Sequence, residues 1–295
     1  MAQTGTMQAN GVELAWSEQG DGPDGTPTLV LCHGYTGSSH DFSLQVGALA
    51  AHRHVVTLDH RGHGSSTKTG NLQGYTIEQL ADDLAAFIDA VSDGPVDLLG
   101  HSMGGRVVMT MVLARPELVH SLILMDTSAW SFQPEDEGLR TMARDYIVAF
   151  DPAGGMPAAV SLGGPEDVLI AAAVPPEWQK QKDAIFTGMD AYAVKALGSA
   201  LWTEIPDGPG SLRSRLPSIT CPTTVVVGEH DHPLVDQAPK LAAEVADGTC
   251  PEVLGFGPAG ADGFARRFAA LLRGHFPSTR LAAFTGEFRS VAVCH

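Results

Sequence analysis

Apolar and polar positions fall into two alternating rhythms over the first 130 residues of the chain. Nearly continuous apolar runs, TLVLCHG (28–34), HVVTLDHRG (54–62), VDLLG (96–100) and LVHSLILMD (118–126), have the pattern of strands covered on both faces. GVELAWSEQG (11–20) alternates instead, as a strand with one covered face does, and ends in the turn DGPDGTP. Helical periods lie between these runs. YTIEQLADDLAAFIDAV (75–91) puts Leu80, Leu84, Phe87 and Val91 on one face, and Thr76 with Gln79 has capping-box spacing. MGGRVVMTMVLA (103–114) reads as a helix stopped by Pro116. Buried strands separated by helices predict parallel crossover units, hence an α/β fold with a doubly wound, mostly parallel sheet.

From about 130 to 210 the β rhythm disappears. PEDEGLRTMARDYIVAF (134–150) and DAYAVKALGSALW (190–202) are helical in period, with Gly/Pro breaks such as DPAGGMP near them. The strand–helix rhythm returns in TTVVVGEHD (223–231), VDQAPKLAAEVA (235–246) and PEVLGF (251–256). The predicted organisation is an α/β core in two parts, 1–130 and 211–295, interrupted by a helical cap over 131–210. Trp130, Trp178 and Trp202 would either line a pocket under that cap or pack within it.

Composition narrows the function classes. With 295 residues the chain can bury a large core without a disulfide or metal. Its balance of 18 basic and 34 acidic residues, 18 − 34 = −16, argues against nucleic-acid backbones and anionic membrane surfaces. Cys32, Cys221, Cys250 and Cys294 show no metal-binding spacing; Cys32 and Cys221 abut apolar runs and read as buried thiols. A Cys250–Cys294 bridge has no support in the pattern. No leader-like start and no membrane-length apolar stretch is visible, so the expected setting is the cytoplasm, with no nucleic-acid or membrane partner. The expected partner is a neutral or apolar small molecule; nothing in the pattern bears on oligomeric state.

The chemistry centres on LLGHSMGG (98–105), where a buried strand runs directly into a helix. A serine fenced by glycines at that junction is pushed into the open by a sharp turn, the setting of a nucleophile elbow. Ser102 is therefore the candidate nucleophile. The backbone N–H of Met103, at the helix N-terminus, would face an oxyanion formed after attack. CHGYTG (32–37) ends another buried strand and offers the N–H of Tyr35 as the second donor.

In the order and spacing of LVLCHGYTG (29–37), DHRGHGSS (59–66), LLGHSMGG (98–105), LILMDTS (122–128) and CPTTVVVGEHD (221–231), the chain resembles the α/β-hydrolase family. The likeness covers about 11–128 and 217–256, and points to its capped serine esterase and lipase-like branch. It implies the order Ser, acid, His, with Asp231 as the acid that orients an imidazole. Asp59, Arg61, His63 and Asp126 fall where the family uses structural residues. The histidine departs from the pattern: the loop expected to carry it, GPAGAD (257–262), has none. His232 adjoins the acid and His295 ends the chain, which leaves His275, in a local GHF resembling a family loop, as the candidate base. Six of the eleven phenylalanines fall in 256–295, a shift in composition that marks a divergent tail or a shifted reading frame. The resemblance implies a carboxylic-ester hydrolase using no cofactor and no metal. C–C bond hydrolases, lactonases and cofactor-free perhydrolases share the fold, and a decayed, ligand-binding member would explain the missing histidine.

Overall fold

The computed structural model describes residues 2–130, 137–156, 175–202, 208–228, 231, 234–250 and 253–254. Strands β1 (Gln3–Ala9), β2 (Val12–Gln19), β3 (Leu29–Cys32), β4 (Val55–Leu58), β5 (Val96–His101), β6 (Val119–Met125), β7 (Thr223–Gly228) and β8 (Gly248–Thr249) form one sheet in the order β1-β2-β4-β3-β5-β6-β7-β8. A short β9 (Val253–Leu254) pairs with Val227–Gly228 of β7. From β4 to β8 all pairings are parallel, while β1–β2 and β2–β4 are antiparallel. The doubly wound, mostly parallel sheet predicted from the apolar runs is therefore present.

Those runs are continuous because both faces of the sheet are covered. Val30, Cys32, Leu98, Leu122 and Leu124 join one cluster with α2 (Ile77–Val91), α3 (Met103–Ala114) and α8 (Leu234–Glu244). Leu29, Leu31, Leu99, Ile123 and Met125 pack on the other side with Phe42 and Leu49, the latter in α1 (Ser43–Ala50). Thr76 and Gln79 form the expected capping box on α2. Cys32 is buried and Cys221 half-buried; both are free thiols, as is Cys250.

Two strands were not expected, the two-residue β8 and the longer β1. β1 is only partly covered, so QTGTMQA lacks a clear period; its signal was the Asn10-Gly11 turn. Ala9 pairs with Val12, and both loop residues have positive φ (48° and 77°), the geometry of a tight hairpin.

Between β6 and β7 every assigned element among the described residues is helical: α4 (Glu137–Ala149), α5 (Pro176–Thr187), α6 (Ala191–Trp202) and the short α7 (Leu212–Arg215), with a brief 3-10 turn after α4 and after α7. This insertion rests on the loops that follow β3 and β4, at the carboxyl edge of the sheet. On α5, Lys182 Nζ bonds Asp41 Oδ1 at 2.5 Å, and Trp178 stacks on His40 at 4.9 Å and donates to Ser43 Oγ at 3.0 Å. Trp178 thus packs against the core, and Trp130 lies under the Arg213 guanidinium at 5.0 Å. At the start of α6, the Asp190 N–H donates to the Gly62 carbonyl at 2.9 Å. Its carboxylate accepts from Gly70 N–H at 2.8 Å and Tyr75 OH at 2.5 Å. No helix among the described residues is long and apolar enough to cross a membrane.

The opposite edge of the sheet is tied by buried charge. Arg53 pairs with Asp97, whose other oxygen accepts from Ser121 Oγ at 2.5 Å and meets His120 Nδ1 at 2.7 Å. Removing Asp97 takes the counter-charge from buried Arg53 and leaves its guanidinium neutral acceptors such as Pro27 O at 2.6 Å. Asp97→Ala should therefore lower unfolding free energy by about 3–5 kcal/mol in a urea titration. A loss below about 1 kcal/mol would show that Arg53 is solvated by other means.

Candidate active site

Ser102 lies between β5 and α3 with φ 52° and ψ −117°, outside the regions an L-residue prefers. Several contacts impose this geometry. Its N–H donates to Met125 O at 2.9 Å, and its carbonyl accepts from Gly105 N–H at 2.9 Å and Thr127 Oγ1 at 2.7 Å. Space is equally restrictive. A Cβ on Gly104 would lie 2.6 Å from the Cys32 and His33 carbonyl oxygens, and one on Gly100 would lie 2.6 Å from Gly104 O. On Gly105 it would meet Thr127 Oγ1 at 2.3 Å. The glycines let α3 descend onto β3 and β5, and the strained turn holds Ser102, half-buried, above their ends.

The loop after β3 meets Ser102 directly, since a Cβ on Gly34 would sit 3.2 Å from Ser102 Cβ. Residues 34–37 form a turn closed by Gly37 N–H to Gly34 O at 3.1 Å. Among the described residues, the backbone N–H groups of Tyr35 and Met103 have no hydrogen-bond partner. One of these donors follows Ser102 at the N-terminus of α3, and the other follows Gly34, which packs against Ser102.

Buried histidines set this loop. His33 Nε2 accepts the His60 N–H at 3.0 Å, so its proton sits on Nδ1 and is donated to Gly34 O at 2.8 Å. Burial, with His60 and His63 nearby, holds its pKa well below the usual imidazole value, so the ring is neutral. His60 is likewise pushed down, to about 3, by burial and then by His63. His63 Nε2 meets Tyr35 O at 2.5 Å and Nδ1 meets Arg61 O at 3.0 Å. Burial lowers its pKa, so it carries one proton at neutral pH; we place it on Nε2, the shorter contact. Asp59 braces the same region, accepting from Ser39 N–H at 2.7 Å and Ser65 N–H at 2.8 Å. The structural reading of Asp59 and His63 agrees with these contacts. The ends of two strands, CHG and DHRGH, held these histidines in plain view, but their convergence has no local signal.

Asp231 follows β7 and is buried; its N–H donates to Gly228 O at 3.1 Å and its carbonyl accepts Val235 N–H at 2.8 Å. It lies on the same edge as Ser102, with β6 between their strands, a lateral offset of about 10 Å. Asp126 ends β6 with φ 46°, and its Oδ1 takes the Gly228 N–H at 2.7 Å, a strand-to-strand tie. The structure therefore gathers Ser102, Met103 and Tyr35, and sets Asp231 along the same edge. His275 lies outside the described residues, as do His232 and His295. Among the described residues no group of His, Cys, Asp or Glu could hold a metal ion.

The alpha/beta hydrolase fold family model matches residues 27–147, which hold β3 to β6, the Ser102 turn and most of α4. The chain has the α/β-hydrolase fold. Over 118 residues it is 39% identical to the dihydrolipoyllysine-residue acetyltransferase component of the acetoin cleaving system of Pseudomonas putida, covering 40% of this chain and 31% of that one. Over 110 residues it is 36% identical to the sn-1-specific diacylglycerol lipase ABHD11 of Danio rerio, covering 37% and 34%. These matches span about a third of each relative. An esterase of Exiguobacterium antarcticum superposes with a TM-score of 0.71 at 20% identity, over 92% of this chain and 100% of that one.

The strain at Ser102 is measurable without any assay of activity. Ser102→Gly and Ser102→Ala both remove the hydroxyl, but only glycine tolerates this backbone. The glycine variant should be more stable than the alanine variant by about 1 kcal/mol in denaturant. Equal stabilities would mean that the turn stores no strain.

Proposed function

We propose that this α/β hydrolase cleaves carboxylic esters through an acyl-enzyme, with Ser102 as nucleophile, His275 as base and Asp231 as the acid that orients it. The observation that carries the reading is the strained Ser102 turn beside the N–H groups of Met103 and Tyr35, which have no partner among the described residues. An unassisted serine hydroxyl is a poor nucleophile at neutral pH, so the chemistry calls for an imidazole beside it. His275 would take the Ser102 proton as Oγ bonds to the ester carbonyl carbon. The carbonyl electron pair then becomes an oxyanion held by the Tyr35 and Met103 N–H groups. Collapse breaks the carbonyl–oxygen bond to the leaving alcohol, which departs with the proton from the imidazolium. Water repeats the sequence and releases the acid, restoring Ser102. Asp231 stabilises the imidazolium between the two half-reactions.

The substrate class that fits is a small neutral ester, since a net charge of −16 disfavours acidic substrates at long range. The helical insertion, lying over the carboxyl edge, would act as the cap that selects the acyl group.

Two variants test this reading with p-nitrophenyl butyrate and a fluorophosphonate probe. Ser102→Ala should lower kcat by about 10⁴–10⁶-fold and abolish labelling. His275→Ala should cost nearly as much, and the double variant scarcely more, because such residues act as a unit. Wild-type turnover in Ser102→Ala would end the proposal. Near-normal turnover in His275→Ala would remove that residue alone, and a wild type that labels slowly and turns over little would favour a decayed, ligand-binding member.

A further inference from the structure

We propose that Tyr35 couples the helical insertion to the oxyanion hole, with Gly198 on α6 as the positioning residue; the inference rests on the serine-hydrolase reading above. The main chain of Tyr35 is held from the core. His33 and the Gly37 N–H both bond Gly34 O, which fixes the peptide that carries the Tyr35 N–H. His63 at 2.5 Å from Tyr35 O fixes the next peptide, the central one of the turn. The side chain is held from the insertion. Tyr35 OH donates to the carbonyl of Val194, inside α6. Burial raises the pKa of this phenol, so it remains a donor across the working pH range.

That contact exists only because residue 198 has no side chain. A Cβ there would lie 2.4 Å from Tyr35 Oη, 3.0 Å from its Cζ and 2.9 Å from Ile147 Cδ1. Glycine inside a helix is destabilising by about 1 kcal/mol against alanine, so its place in α6 needs a packing reason, and the phenol supplies one. The helix itself cannot yield easily. Asp190 anchors its start to Gly62, Gly70 and Tyr75, and Ala193 Cβ lies 2.5 Å from where a Cβ on Gly62 would stand. A side chain at 198 must therefore push the Tyr35 ring, and with it the backbone that carries the donor. The insertion on this view does more than cover the pocket: its docked position aims one of the two oxyanion donors.

The test reads fluorophosphonate labelling of Ser102 and turnover of p-nitrophenyl butyrate in the full chain, with thermal unfolding alongside. A fluorophosphonate places its phosphoryl oxygen where an ester oxyanion would form, so its rate reports the donors. Gly198→Ala should slow labelling and kcat by about 10²-fold, the cost of misplacing an oxyanion donor, while KM changes by less than about threefold. Tyr35→Phe should show the same kcat-weighted loss on a smaller scale, about tenfold. Because the phenol oxygen is the nearest obstacle, the double variant should lose no more than Gly198→Ala alone. If Gly198→Ala fails to fold, Tyr35→Phe decides: an unchanged rate overturns the coupling and a slowed kcat supports it. Wild-type labelling in a folded Gly198→Ala, or losses that multiply in the double variant, would also overturn it. A wild type that does not label at Ser102 would instead overturn the serine-hydrolase reading, and the coupling with it.

Discussion

The constraint on which the Ser102 turn depends is the contact between the first turn of α3 and the ends of β3 and β5. Gly104 leaves no room for a Cβ against the Cys32 and His33 carbonyls, and Gly100 none against Gly104. A larger residue at either position would lift the helix from the sheet. Lifting it would relax the backbone of Ser102 and separate it from Gly34. The loop after β3 comes beside Ser102 only because these backbones nearly touch. Local strain at Ser102 is thus maintained by packing that over-determines it.

A second layer of order is polar and buried. His33 and His63 make directed hydrogen bonds to loop peptides, and burial lowers the pKa of both, so they fix those peptides without the desolvation cost of a buried charge. Buried ion pairs add to this order. Arg61 bonds both oxygens of Asp83 at 2.5 and 2.6 Å, and burial of that carboxyl raises its pKa against the pull of the guanidinium. Lys182 and Asp41 make the same kind of pair between α5 and the core. Such pairs give geometric specificity more than net stability. They register the loops and the insertion against a sheet held mainly by apolar burial.

The fold supports many reactions, and what distinguishes them lies at the carboxyl edge and in the insertion. Here the insertion touches the loop after β3 through His40, Asp41 and Tyr35, and the loop after β4 through Gly62. Changes in its helices therefore reach the Ser102 turn through contacts of a few ångströms.

Local patterns determined much of this protein. The apolar runs marked β3 to β7, the helical periods marked α2, α3 and α6, and the loss of β period after 130 marked the insertion. The Ser102 turn was legible because its glycines and flanking apolar residues are contiguous. What failed was local too: β1 is too exposed to show a clean period, and its Asn10-Gly11 turn was the better sign. Only the tertiary structure decided how Asp126 is used, since its partner Gly228 lies 102 residues away. It alone revealed that His33, His60 and His63 converge, with ring centres 4.6, 5.0 and 6.4 Å apart. The meeting of Tyr35 with Val194, 159 residues apart, has no trace in either segment. Periodicity encodes which face of an element is buried, because burial repeats with the element's own geometry. It does not encode which distant surface does the burying, and that choice places every contact around Ser102.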